Sequence, residues 1–129
     1  MANKHKRGEV WLVDLKPNTR ADEIGKTRPA LIMQCDELNE TLNNTVILPF
    51  STVIVDNAEP LRINYDLKYL KENSDLIITQ IKTISNTRLL KKLGSISASE
   101  MSKISQYVQI ILCLKWRGGL LPFILKTKK

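Results

Sequence analysis

Residues 97–114 read SASEMSKISQYVQIILCL, and the rest of the fold is read outward from this stretch. Ser97 followed three residues later by Glu100 is a capping-box pattern, in which the serine hydroxyl accepts the Glu100 amide and the glutamate reaches back to the Ser97 amide. Met101, Ile104, Val108, Ile111 and Leu112 then recur at helical spacing, the apolar stripe of a helix of about four turns. Upstream the pattern changes. Residues 75–83 (DLIITQIKT), 45–50 (TVILPF), 29–34 (PALIMQ) and 8–15 (GEVWLVDL) are short and mostly apolar, and they predict strands. Residues 61–63 predict a further strand, 36–42 a helical turn, and 66–74 a polar, turn-like link. Residues 16–27 contain Pro17, Asn18 and Gly25 and no apolar period. They predict a loop of about twelve residues, a length at which structureless loops tend to carry function. Short strands followed by one C-terminal helix predict an α+β fold, mainly β: a small twisted barrel or half-barrel covered by the helix.

The chain has 129 residues, room for one ordinary domain, with 43% hydrophobic and 26% charged residues. A chain of this size buries roughly two thirds of its unfolded surface, so a core without disulfides is expected. Cys35 and Cys113 stand far apart with no zinc spacing and are expected as two reduced thiols. Aromatic residues make up only 5%, which argues against a base-stacking platform of several rings. The net charge is +7, but the ends hold it: Lys4, Lys6 and Arg7 at the start, and Lys115, Arg117, Lys126, Lys128 and Lys129 at the finish. Residues 8–114 keep 12 of the 20 basic residues against all 13 acids, a net of −1. The basic start lacks the apolar run of a secretory signal, and residues 108–114 and 120–125 are separated by Lys115 and Arg117. Neither apolar run approaches the ~18 residues of a membrane span, so a cytoplasmic protein with no membrane contact is expected.

Each chemical candidate has an ordinary structural alternative. Gly25-Lys26-Thr27 looks like the end of a phosphate loop, but Arg20 stands where its first glycine belongs and Pro29 bars a following helix. His5, the only histidine, is expected as a solvated tail residue. Two-histidine RNA cleavage and a histidine metal cluster are thereby excluded. Arg28 enters an apolar strand from a polar loop, where it is either an ion-pair partner of Asp22 or Glu23 or a permanently charged fork for a phosphate. Ser51 and Thr52 end a strand, where hydroxyls commonly satisfy a turn. Gln80 and Lys82, two apart on a predicted strand, are expected to share a face. In a small barrel these strand ends converge on one rim beneath the 16–27 loop.

In order along residues 7–114, RGEVWLVDL, EIGKTRPALIM, TVILPFST, and LIITQIKT with TRLLKKLGSIS resemble the MazF/PemK toxins of bacterial toxin–antitoxin systems. The resemblance implies an SH3-like barrel acting as a homodimer. It would cut single-stranded RNA without a metal or other cofactor, and be held by a small MazE/PemI-like antitoxin whose acidic or disordered tail fills the RNA groove. The family's catalytic arginine and threonine fall on Arg28 and Thr52. Its loop glutamate falls on Glu23 and the glutamine of its QIRT-like motif on Gln80, with Lys26, Ser51 and Lys82 as further expected RNA contacts.

This chain departs from the pattern at Thr79, where many relatives carry an acid, at Lys82, which replaces an arginine, and at Cys35, which replaces a base reader. These departures bear on base specificity and rate. Two rival readings follow: a non-enzymatic CcdB-like gyrase-binding toxin, and a catalytically impaired RNA-binding relative. Residues 1–114 are expected to form the endoribonuclease domain and 115–129 a basic C-terminal extension.

Overall fold

The structure, a computed structural model, describes residues 4–15 and 26–114. Seven strands and two helices follow one another as β1 (Glu9–Asp14), β2 (Thr27–Ile32), α1 (Asp36–Thr41), β3 (Asn44–Ser51), β4 (Arg62–Tyr65), β5 (Ser74–Ile77), β6 (Lys82–Ser85), β7 (Leu89–Ser95) and α2 (Ala98–Ile111). All pairings are antiparallel, in the order β4-β5-β3-β2-β1-β7, with β6 also on β3. The path does not close, so the expected barrel is an open, barrel-like sheet. The mainly-β architecture with a C-terminal helix is as the sequence predicts.

β3 is the trunk. One side pairs with β2, while the other is shared: Asn44–Ile47 pair with β6, and Phe50 and Ser51 with β5. Its 8 residues are long enough for β6 and β5 to pair with separate segments of it, and both its faces are buried. Leu48 and Phe50 belong to the larger core that carries Ile104 of α2, whereas Ile47 packs with Trp11, Val13, Ala30, Ile32, Ile84 and Leu89. Two-sided burial explains why β2 and β3 read as continuous apolar runs rather than alternating ones.

Three expectations are corrected. The single strand over 75–83 is two strands, β5 and β6, separated by a 3-10 turn at Ile78–Gln80. The two halves pair with β3 in registers that differ by three residues, Leu76 opposite Phe50 but Lys82 opposite Ile47, and the turn takes up the difference. Hence Gln80 and Lys82 do not alternate along one strand. β7 carries no apolar alternation, with Leu90, Lys91 and Lys92 exposed, and gave no strand signal. His5 is not solvated: it is 3% exposed and stands edge-on to Trp11, with ring centroids 6.5 Å apart.

The capping box is half realised. Ser97 Oγ accepts the Glu100 amide at 3.3 Å, but the Glu100 carboxylate accepts the Tyr65 hydroxyl at 2.6 Å. Burial and that bond push the Tyr65 phenol far above its ordinary range. Arg7 ties this end together: its amide donates to Asp36 Oδ1 at 2.7 Å, and its guanidinium donates to the Met33 carbonyl and to Ser105 Oγ. Through its backbone and its side chain, one residue thus joins the end of β2, α1 and α2.

Candidate active site

Two adjoining hollows open beside the C-terminal end of β3. The first, about 550 Å³, is lined by Lys26, Arg28, Ser51, Arg62, Gln80 and Lys82 among others. The second, about 480 Å³, is lined by Arg28, Ser51, Thr52, Tyr69, Lys71 and Lys91 among others. Lys26, Arg28, Phe50 and Ser51 border both, so Arg28 stands on the ridge between them.

Strand register puts these groups there. Arg28 lies opposite Val13 at the start of β2, and Ser51 opposite Asp75 at the end of β3. Lys82 lies opposite Ile47, at the first residue of β6. The 3-10 turn leaves Gln80 exposed beside Lys82, so the two meet in the first hollow by a break in the strand rather than by alternation. Thr52 is exposed just past β3 and borders the second hollow but not the first. Glu23 and most of the 16–27 loop lie outside the described residues. Cys35 precedes α1 and lines neither hollow, so among the described residues it stands away from the cleft.

The segment after β3 is pinned from below. Asp75, 1% exposed, accepts the Val55 amide at 2.9 Å and Asn64 Nδ2 at 3.1 Å, and its Oδ2 pairs with Arg62 Nε at 3.1 Å. Arg62 also donates to the Val53 carbonyl at 2.8 Å. The Ser51 hydroxyl accepts the Val53 amide at 3.1 Å, the turn-satisfying role expected for such a residue. The Thr52 hydroxyl has no such bond among the described residues. Arg62 and Asp75 are supports that sequence reading missed, because they stand 13 positions apart and meet only through the β4–β5 pairing.

The electrostatics are one-sided. Among the described residues, Lys26, Arg28, Lys82 and the Asp75-paired Arg62 line the first hollow with no acid, and Lys71 and Lys91 add to the second, where Glu72 is the one carboxylate. Among the described residues Arg28 forms no ion pair. A concave surface on which cations outnumber acids focuses its field on an anion. Lys91 and Lys92 show how β7 contributes: Lys92 pairs with Glu9 at 3.1 Å, and its neighbour Lys91 borders the cleft. Among the described residues no three His, Cys, Asp or Glu side chains gather as a metal site.

Residues 6–112 match the family described as PemK-like, MazF-like toxin of type II toxin-antitoxin system. The chain belongs to this family. It is 30% identical over 112 residues to Endoribonuclease EndoA of Bacillus subtilis (strain 168), covering 84% of this chain and 95% of that protein. It is 33% identical to Endoribonuclease MazF of Staphylococcus epidermidis over 84% of this chain and 92% of that one. The PemK/MazF fold is matched as well. An endoribonuclease in complex with its cognate antitoxin, from a mycobacterial species, aligns with a TM-score of 0.68 at 21% identity over 88% of this chain and 98% of that one. A MazE–MazF structure from Deinococcus radiodurans aligns at 0.67 and 13% identity, over 85% and 96%. Among PemK/MazF endoribonucleases the CcdB-like reading is not favoured.

Proposed function

We propose that this PemK/MazF-type endoribonuclease toxin binds single-stranded RNA across the two hollows and cuts it over Arg28. The observation that carries the reading is the position of Arg28 on the shared ridge, a fixed cation without an ion-pair partner among the described residues. In the reaction the 2′-oxygen next to the scissile phosphate attacks phosphorus and the bond to the 5′-oxygen breaks. The 2′-OH proton leaves and the departing oxygen takes one up, giving a 2′,3′-cyclic phosphate and a 5′-OH end. Extra negative charge develops on the phosphate oxygens, where a guanidinium already in place stabilises it without reorganisation. Thr52 holds a phosphate oxygen or the 2′-OH, and the need for the 2′-OH as nucleophile makes the enzyme selective for RNA over DNA. Lys26, Ser51, Gln80 and Lys82 hold the strand in the first hollow, with Glu23 as a contact from the 16–27 loop. Lysine at position 82 supplies charge without arginine's two-pronged geometry.

A cleft rich in cations also suits an acidic polypeptide, and an antitoxin of MazE/PemI type would inhibit by filling it. The active form is a homodimer in the cytoplasm; among the described residues no helix is long and apolar enough to cross a membrane. Residues 115–129 add basic charge beyond the 1–114 domain. The test is incubation with mixed-sequence single-stranded RNA in chelator, followed by end mapping, beside Arg28→Ala and Thr52→Ala. Cleavage to cyclic-phosphate ends by the parent and its loss in both variants is expected. No cleavage by the parent, or equal cleavage by both variants, overturns the reading.

A further inference from the structure

We infer that the second hollow is a subsite for one nucleotide flanking the cleaved bond, with Tyr69 as its wall and Lys71 and Lys91 as its phosphate contacts. The inference rests on the reading of Arg28 as the cleavage centre and extends it to side chains outside the TRP and QIKT motifs.

Three observations carry it. The first is continuity: Lys26, Arg28, Phe50 and Ser51 border both hollows, so a strand lying across the two passes Arg28. The second is chemistry. Around the second hollow, Leu12, Leu93 and the Tyr69 ring give an apolar lining, and Lys71 and Lys91 share its edge with one carboxylate, Glu72. Among the described residues neither lysine is held in an ion pair. An apolar slot with a cationic rim is what an unstacked base with its phosphates needs, and its volume of about 480 Å³ lies within the ~300–1,000 Å³ of small-ligand sites. The third is that the ring is built in. A Cβ on Gly94 would lie 2.3 Å from Tyr69 Cε2, so the ring sits where only glycine leaves room. The Tyr69 hydroxyl donates to the Ser95 carbonyl at 2.9 Å. With its hydroxyl engaged, Tyr69 offers a base its ring surface rather than a hydrogen bond, so the subsite accepts a base of any identity.

The test begins with an RNA of about 20 nucleotides carrying the mapped cleavage site, and versions trimmed one nucleotide at a time from each end. Tyr69→Leu removes the ring, Gly94→Ala displaces it, and the double variant Lys71→Gln/Lys91→Gln removes the charges. For the full-length RNA each is expected to raise KM about tenfold, with kcat within about twofold of the parent. The lysine double variant should also flatten the dependence of log KM on log salt by about 1.4, the value for two single-strand phosphates. Trimming the flanking nucleotide from the substrate should abolish the effect of all three. Unchanged KM and salt slope in the lysine variant, which alters only exposed side chains, overturns the subsite and leaves those lysines to a polypeptide partner. An effect that persists undiminished on every trimmed RNA overturns it too. Cleavage that survives Arg28→Ala is a different failure, because it removes the cleavage centre itself.

Discussion

Arg7 and Arg28 are the same kind of side chain beside opposite ends of β2, and they are treated in opposite ways. Arg7 donates to a backbone carbonyl and to a serine on α2, and its amide is bound by Asp36. Arg28 stands on the ridge of a cleft lined by further cations, without an ion-pair partner among the described residues. In Arg7 the fork geometry closes a seam; in Arg28, among the described residues, it meets no acid. Function therefore follows from which charges the fold leaves uncommitted, a property that total charge does not report.

The comparison can be broken most easily at Arg28. Arg28→Ala is expected to lower kcat about 10²–10³-fold, the loss seen when one preorganised charge-stabilising donor is removed, with an unchanged melting temperature. Arg28→Lys should recover only part of that rate, since a point charge lacks the fork. Next comes the support beneath the cleft. Asp75→Ala strands Arg62 and frees the Val55 amide, and is expected to cost about 3 kcal/mol in chemical denaturation, near the lower end for breaking a buried pair because Arg62 still reaches water. Arg7→Ala should cost less, about 2 kcal/mol, and should leave kcat unchanged. A large kcat defect in Arg7→Ala with full stability would erase the distinction between the two arginines.

The smallest effect sharpens the committed end through pH. Burial of the Glu9 carboxyl raises its pKa, but bonds from Trp11 Nε1 and the Lys6 amide, together with Lys92, outweigh it, and the net shift is downward. A carboxyl held lower in the folded state than in the unfolded one contributes stability above its ordinary value of 4.5. That contribution is lost as pH falls through the folded value. Stability measured from pH 6 to pH 3 should therefore fall more steeply in the parent than in Glu9→Gln. Equal slopes would mean that these bonds do not favour the charged form.

Much of the fold was legible. The α2 stripe, the Ser97 cap and the apolar runs of β1, β2 and β3 are local patterns, and periodicity reports burial directly. β7 escaped because its exposed Leu90-Lys91-Lys92 run has no alternating apolar signal, and its pairing with β1 is interrupted by register shifts. The break at Ile78–Gln80 escaped for a different reason. Each half of DLIITQIKT has strand character, and only the three-residue change of register between the β5 and β6 pairings with β3 requires a turn between them. His5 was misplaced because a histidine in a basic leader looks solvated until Trp11 is seen to cover it.

By itself the sequence determined the class of fold, the family through TRP, the TVILPFST strand and QIKT, and the identity of Arg28 as a permanently charged group at a strand entrance. It also gave a domain of net −1, which spoke against a charge-driven RNA site. The tertiary structure decided where those charges go. Strand pairing turns Glu9, Asp36 and Asp75 to structural partners, while Lys26, Arg28, Lys71, Lys82 and Lys91 gather around one cleft. Net charge is a sum over residues, but an anion responds to the local field, and that depends on positions set by contacts distant in the chain.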